Sequence, residues 1–223
     1  MMQPRNRKEL ASLIDHAVLG ILAGRAEVAA GCELARQVGV ASLCVKPCHV
    51  AQAAKALKGS GAPVSTVISF PHGADVPAIK VQQVLAAIAD GADELDMVIN
   101  IAALSEGDLE GVQQEIAAVV EAAKGRCVKV ILECALLTDP KKLIGCQLAL
   151  QAGATFVKTS TGLATGGATV EDVRLLRAAV GDRAGVKAAG GIRTLEQAQA
   201  MIAAGASRLG TSATAQILAQ IAS

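Results

Sequence analysis

Gly153-Ala154-Thr155-Phe156-Val157-Lys158 follows an Ala- and Leu-rich stretch, Pro140–Ala152, and enters a β-prone run within three residues. Gly suits the left-handed position that ends a helix, and so short an exit suits an αβ loop. The same form recurs as Gly39-Val40-Ala41-Ser42-Leu43-Cys44-Val45, Gly91-Ala92-Asp93-Glu94-Leu95-Asp96-Met97 and Gly205-Ala206-Ser207-Arg208-Leu209-Gly210-Thr211. These glycines are spaced by 52, 62 and 52 residues. One βαβ step takes about 30 residues, so each interval holds two. Ser65–Phe70, Cys127–Glu133 and Gly185–Ala189 supply the intervening strands, and Leu13–His16 a first one. Helical patterns cover Val76–Ala89, Leu109–Ala123, Pro140–Ala152, Val170–Val180 and Leu195–Ala204. Eight βα units in this length predict an α/β fold, a single (β/α)8 TIM barrel forming one domain over residues 1–223. The alternative, a doubly wound open sheet, places a Gly-rich turn after its first strand, and none is present there.

Composition agrees with a layered interior. The chain is 52% hydrophobic, yet it has no Trp or Tyr and only Phe70 and Phe156 as aromatics, so Ala, Val, Leu and Ile must fill the core. A formal net charge of +1 argues against a nucleic-acid partner. No run of 18 apolar residues suggests a membrane span. The basic cluster Arg5, Arg7 and Lys8 precedes a mildly apolar stretch that Asp15 and His16 interrupt, so a signal peptide is not expected. The expectation is a soluble cytoplasmic protein. Its six cysteines sit mostly in apolar runs, where Cys acts as a small hydrophobe. Cys44, Cys48 and His49 lack the second pair of ligands that a structural metal site needs, so no metal is expected.

Residues of a barrel strand alternate between interior and helix layer. With Leu95, Met97 and Ile99 facing the helices, Glu94, Asp96, Val98 and Asn100 face inward. With Val128, Val130 and Leu132 outward, Lys129, Ile131 and Glu133 point in. Val157 and Val186 outward turn Lys158 and Lys187 inward on adjacent strands, and Asp15 and Lys46 fall inside similarly. Buried ions are costly unless paired, neutralised or put to chemical use. Lys129 and Glu133 could serve a structural salt-bridge network. Two neighbouring lysines instead repel, which lowers the pKa of at least one and yields the neutral amine that a Schiff-base nucleophile requires. Glycines also gather at the predicted strand ends: Gly162 after the sixth strand, Gly190 and Gly191 after the seventh, Gly210 before Ser212 after the eighth. Such backbone, with Arg193 nearby, suits a phosphate group. Asp15 completes the expected substrate-binding set. His49 falls at a helix start, His72 in a loop after the third strand, and His16 is a weaker candidate for substrate contact.

With these residues placed, the chain resembles the deoxyribose-phosphate aldolase family from about Leu10 to Thr211. The resemblance is carried by Glu94–Ile101, Phe156–Gly162, Gly166–Val173, Gly185–Thr194 and Arg208–Ser212. It implies a class I, Schiff-base aldolase that reversibly cleaves 2-deoxy-D-ribose 5-phosphate to acetaldehyde and D-glyceraldehyde 3-phosphate, without a cofactor and as a homodimer. It places the Schiff-base lysine at Lys158, a second lysine at Lys187 and a proton-relaying aspartate at Asp96. Some members end in a tyrosine that reaches the active site; this chain has none, and its tail Gln216–Ser223 cannot replace it. Lys46 stands where a neutral residue is expected, close enough by strand parity to depress Lys158 or to pair with Glu94 or Asp96. The competing readings are a Schiff-base barrel for another phosphosugar, a phosphosugar-binding barrel that has lost catalysis, and a barrel isomerase with Glu133 as base.

Overall fold

The four repeat glycines have φ of 70° at Gly39, 100° at Gly91, 81° at Gly153 and 114° at Gly205, so each occupies the left-handed position that a side chain resists. The computed structural model describes residues 3–221. Among them, eight strands follow in chain order: β1 (Ile14–Val18), β2 (Ser42–Val45), β3 (Val64–Ile68), β4 (Glu94–Val98), β5 (Cys127–Ile131), β6 (Phe156–Lys158), β7 (Gly185–Ala189) and β8 (Arg208–Thr211). They pair in parallel as a closed barrel in sequence order, with β8 returning to β1. The helices are α1 (Arg7–Ala11), α2 (Arg25–Val38), α3 (Val50–Leu57), α4 (Pro77–Ala89), α5 (Ile101–Glu106), α6 (Leu109–Ala122), α7 (Asp139–Gln151), α8 (Val170–Val180), α9 (Leu195–Ala203) and α10 (Thr214–Ala219). The predicted (β/α)8 fold is therefore the observed one.

Alternation along the strands divides two interiors. Leu95, Met97, Val128, Val130, Val157, Val186 and Leu209 join the hydrophobic core between strands and helices. Their neighbours Asp96, Lys129, Lys158 and Lys187 are just as buried, but inside the barrel. Phe156 helps to close the barrel at its N-terminal end. A Cβ at Gly185 would overlap its ring, and the Arg208 guanidinium lies 5.4 Å from its centroid.

Strand limits differ from the sequence expectation where the backbone turns left-handed. β3 stops at Ile68 because Ser69 has φ 53°, and β5 stops at Ile131 because Glu133 has φ 57°. The tail forms α10, which packs on α1 and α9. The last two tail residues, 222–223, lie outside the described residues. No helix among the described residues is long and apolar enough to cross a membrane.

The helix layer holds a buried ion pair that the sequence reading did not anticipate. Lys80 on α4 sits 2.7 Å from Glu115 on α6, and both are almost wholly buried. Lys80 Nζ also donates to the Val98 carbonyl, while Glu115 Oε1 accepts the Asn100 N–H. The pair thereby fastens two helices to the end of β4. Burial raises the Glu115 carboxyl pKa, against the opposing charge of Lys80. Removing one partner strands the other charge, so Lys80→Met is expected to cost roughly 3–5 kcal/mol, whereas Lys80→Met with Glu115→Leu should be far milder. Urea unfolding of the single and double variants checks this; equal losses would contradict it.

Candidate active site

The sixth and seventh strands pair Lys158 with Lys187 in register, and β4 pairs Asp96 with Lys129 on β5. This register brings three lysines onto one carboxylate. Asp96 Oδ2 lies 2.8 Å from Lys158 Nζ and 2.6 Å from Lys187 Nζ, and Oδ1 lies 2.7 Å from Lys129 Nζ. Asp15 on β1 approaches Lys187 to 2.5 Å and Arg208 to 2.6 Å, with Lys129 at 3.6 Å. Glu94 completes the set, 2.7 Å from Lys129. The linked network holds four basic groups against three carboxylates. It balances when one amine is neutral, and the surroundings select which.

Burial lowers the pKa of Lys158; Asp96 opposes that effect, and the positive charge of Lys187 adds to it. Burial acts on Lys187 in the same direction, but two carboxylates, Asp15 and Asp96, outweigh it and hold its pKa above the ordinary lysine value. Lys129 is likewise raised well above, because Asp96, Asp15 and Glu94 overcome its burial. Burial would raise Asp96, yet the three surrounding lysines hold it well below the usual carboxylate range. Asp15 is also lowered: Lys187, Lys129 and Arg208 overcome its burial. Of the three interior lysines, Lys158, with one carboxylate that it must share, is therefore the one whose surroundings favour the neutral amine.

Above these groups a cavity of about 220 Å³ opens at the C-terminal rim of the barrel. Asp15, Lys158, Lys187, Gly162, Gly190, Gly191, Gly210, Ser212 and Arg193 all line it, and Asp96 lies buried at the lysines' far side. Gly190 and Gly191 have φ of 92° and 80°. The Ala168 N–H donates to the Gly190 carbonyl at 3.0 Å, and a Cβ on Gly167 would overlap that carbonyl, so the loops after β6 and β7 approach backbone to backbone. Gly162 and Gly191 are exposed on the same loops, and peptide N–H groups at such positions can receive an anion.

Several expectations need correction. Gly210 lies within β8 rather than in the loop beyond it. A Cβ there would sit 2.9 Å from the Ala189 Cβ and 3.1 Å from the Lys187 Cε, so the glycine makes room for the lysine arm. Lys46 is not an inner lysine. It follows the end of β2, caps a short 3-10 turn at Pro47–His49, and donates to the Ile21 carbonyl at the rim. It makes no ion pair with Glu94 or Asp96 among the described residues, and the third interior lysine is Lys129. His16 turns into the helix layer, where its Nδ1 lies 2.9 Å from Thr214 Oγ1. Glu133 does not pair with Lys129; its Oε2 accepts the Thr161 N–H at 3.0 Å. Sequence reasoning also gave no role to Arg208 or Cys44. Both follow from the phases set by Leu209 and by Leu43 with Val45, which turn them inward.

Residues 10–216 match the family profile described as DeoC/LacD family aldolase. A deoxyribose-phosphate aldolase of Geobacillus sp. (strain WCH70) is 51% identical over 210 residues, 94% of each chain. One from Streptococcus equi subsp. zooepidemicus is 52% identical over 205 residues, 92% of this chain and 93% of that one. Among solved structures, a putative deoxyribose-phosphate aldolase from Coccidioides immitis superposes with TM-score 0.96 at 40% identity, covering 99% of this chain and 88% of that chain. The deoxyribose phosphate aldolase from Aeropyrum pernix, described as uniquely tetrameric, gives 0.90 at 33% identity over 96% and 91%.

Proposed function

Because this chain belongs to the DeoC/LacD aldolase family, we propose that it cleaves 2-deoxy-D-ribose 5-phosphate to acetaldehyde and D-glyceraldehyde 3-phosphate, and runs the reverse addition. Lys158 is the nucleophile. The observation that carries this reading is the asymmetry at Asp96: two lysines share one carboxylate oxygen, yet only Lys158 has its pKa lowered. Its neutral amine adds to C1 of the open-chain aldehyde, and loss of water from the carbinolamine gives an iminium ion. Removal of the C3 hydroxyl proton lets the C2–C3 electron pair flow into that iminium, which leaves an enamine and releases glyceraldehyde 3-phosphate. Protonation at C2 and hydrolysis then return acetaldehyde and the free amine.

Lys187 keeps its proton between Asp15 and Asp96, so it serves as the acid, and Asp96 passes protons through a bound water. Gly162, Gly190, Gly191 and Ser212 hold the phosphate, with Asp15 and Gly210 shaping the floor around Lys187. Binding energy gained at that remote group aligns the C2–C3 bond with the iminium π system. The electron sink is formed from the protein's own lysine, and no step of this route draws on a cofactor. The working form is a cytoplasmic homodimer of single barrel domains; the mass in solution decides between this and a tetramer like that of the Aeropyrum pernix relative.

A coupled assay that detects glyceraldehyde 3-phosphate released from 2-deoxy-D-ribose 5-phosphate tests the substrate; absence of product would remove this reading. Its pH dependence tests the electrostatics. kcat/KM should rise with pH as Lys158 loses its proton, on the acid side of an ordinary lysine. In Lys187→Met the nearby positive charge is gone and Asp96 is freer to favour the protonated Lys158, so the rising limb should move to higher pH. A limb that stays in place, or moves to lower pH, contradicts the assignment.

A further inference from the structure

Thr161 and Leu163 line two hollow spaces at once. One is the cavity above Lys158; the other is a chamber of about 410 Å³, walled by Pro71, Ile101, Glu133 and Leu136 among others. The segment between the two is a partition. Thr161 is buried while Gly162 and Leu163 are exposed, so hydrogen bonds at Thr161 help to set where the segment leaves the barrel. Among the described residues one hydrogen bond ties it to another element and a second holds its own shape. Glu133 Oε2 accepts the Thr161 N–H at 3.0 Å, and Thr161 Oγ1 accepts the Leu163 N–H at 3.2 Å.

Glu133 is built for that contact. The Leu132 N–H donates to the Lys158 carbonyl and the Cys134 N–H to the Thr159 carbonyl, so the chain on either side of Glu133 stays bonded to the β6 chain. Between those anchors Glu133 takes the left-handed conformation, φ 57° and ψ 62°, which a non-glycine residue rarely adopts without being held there. The side chain is 1% exposed, forms no salt bridge among the described residues, and leaves Oε1 without a hydrogen-bond partner. A buried carboxylate costs stability unless something uses it. Its one side-chain hydrogen bond among the described residues is to the partition's N–H.

We infer that Glu133 is a positioning residue that braces the Thr161–Leu163 partition and thereby sets the Gly162 wall of the phosphate pocket. This rests on the aldolase reading and on Gly162 contacting phosphate. Glu133 touches no reacting atom. It acts through the Thr161 peptide, so its loss should weaken discrimination for the phosphate and leave formation of the Lys158 adduct intact.

The test compares 2-deoxy-D-ribose 5-phosphate with unphosphorylated 2-deoxy-D-ribose on wild type, Glu133→Ala, Glu133→Asp and Glu133→Gln. The readouts are the ratio of the two kcat/KM values and borohydride trapping with acetaldehyde. Wild type must first show a preference for the phosphate; without one, the substrate reading itself fails, which is a separate result. Glu133→Asp keeps the charge but is too short to reach, and it should lose about tenfold in the ratio, mainly through KM, as should Glu133→Ala. Glu133→Gln keeps an acceptor at the same reach and should retain the wild-type ratio. Trapping on Lys158 should persist in all three. Should Glu133→Ala not fold, the Asp and Gln variants decide alone. An unchanged ratio in Glu133→Asp overturns the inference. So does a Gln variant as poor as the Asp variant, or an equal loss on both substrates.

Discussion

Lys158→Met should abolish aldolase turnover, lowering kcat/KM on the order of 10⁴-fold or more, while the protein stays folded. Methionine keeps the length and most of the volume of the lysine arm and removes the only atom that can form the iminium. Without that cation the C2–C3 electron pair has no acceptor, and no neighbouring group replaces it. Lys187 keeps its proton between Asp15 and Asp96, and Lys129 is fully buried against Asp96, Asp15 and Glu94. Stability should not fall with activity, because burial disfavours the charged form of Lys158 and a neutral amine gives up little when replaced by a thioether. Steady-state kinetics and urea unfolding on the same preparation check both halves. A variant that keeps a tenth of wild-type activity would place the nucleophile elsewhere.

Asp96→Asn should lose activity for a different reason, and be unstable as well. Its carboxylate stands within 2.8 Å of three lysine nitrogens, and an amide of the same shape cannot offset the charges held on Lys129 and Lys187. Breaking such a buried cluster from one side costs roughly 3–5 kcal/mol. The cost depends on pH in a defined sense. The Asp96 pKa is held well below that of an unfolded carboxylate, so its contribution is present above the unfolded pKa and disappears only as pH falls through the lower folded value. The deficit of Asp96→Asn relative to wild type should therefore be full at neutral pH and shrink in strong acid. Turnover should fall by about 10²–10⁴-fold, the range for losing a proton-transfer group. Lys158 should still be trapped by acetaldehyde and borohydride, since removing Asp96 takes away the charge that raises its pKa. A variant as stable as wild type at neutral pH contradicts this account of the network.

The residues that were legible in the sequence share a property: each lies inside a strand whose apolar neighbours fix its phase. Val157 and Val186 turn Lys158 and Lys187 inward, Leu95 and Met97 do so for Asp96, and the register then brings the three together. The fold was legible for a related reason, since Gly39, Gly91, Gly153 and Gly205 each mark a helix end that the chain must turn through. Lys46 misled because it stands one residue past β2, where strand parity no longer holds and a 3-10 turn directs the side chain. The phase that places Asp15 inside also sends His16 outward, so its displacement from the cavity was readable. A glycine at a strand end reads as a turn, whereas the use of Gly210, as space for the Lys187 arm, depends on the neighbouring strand. The Lys80–Glu115 pair had no sequence signal, because it joins two helices 35 positions apart whose facing sides are set only once the barrel closes.

Lys158 stands out among four interior basic groups because burial and the charge of Lys187 lower its pKa, with one shared carboxylate opposing them. The direct measurement is borohydride reduction of the wild-type protein in the presence of acetaldehyde, followed by peptide mass mapping. The account predicts one reduced two-carbon adduct, on the peptide that contains Lys158, and none on Lys129 or Lys187. An adduct confined to Lys187, or no adduct at all, would contradict it.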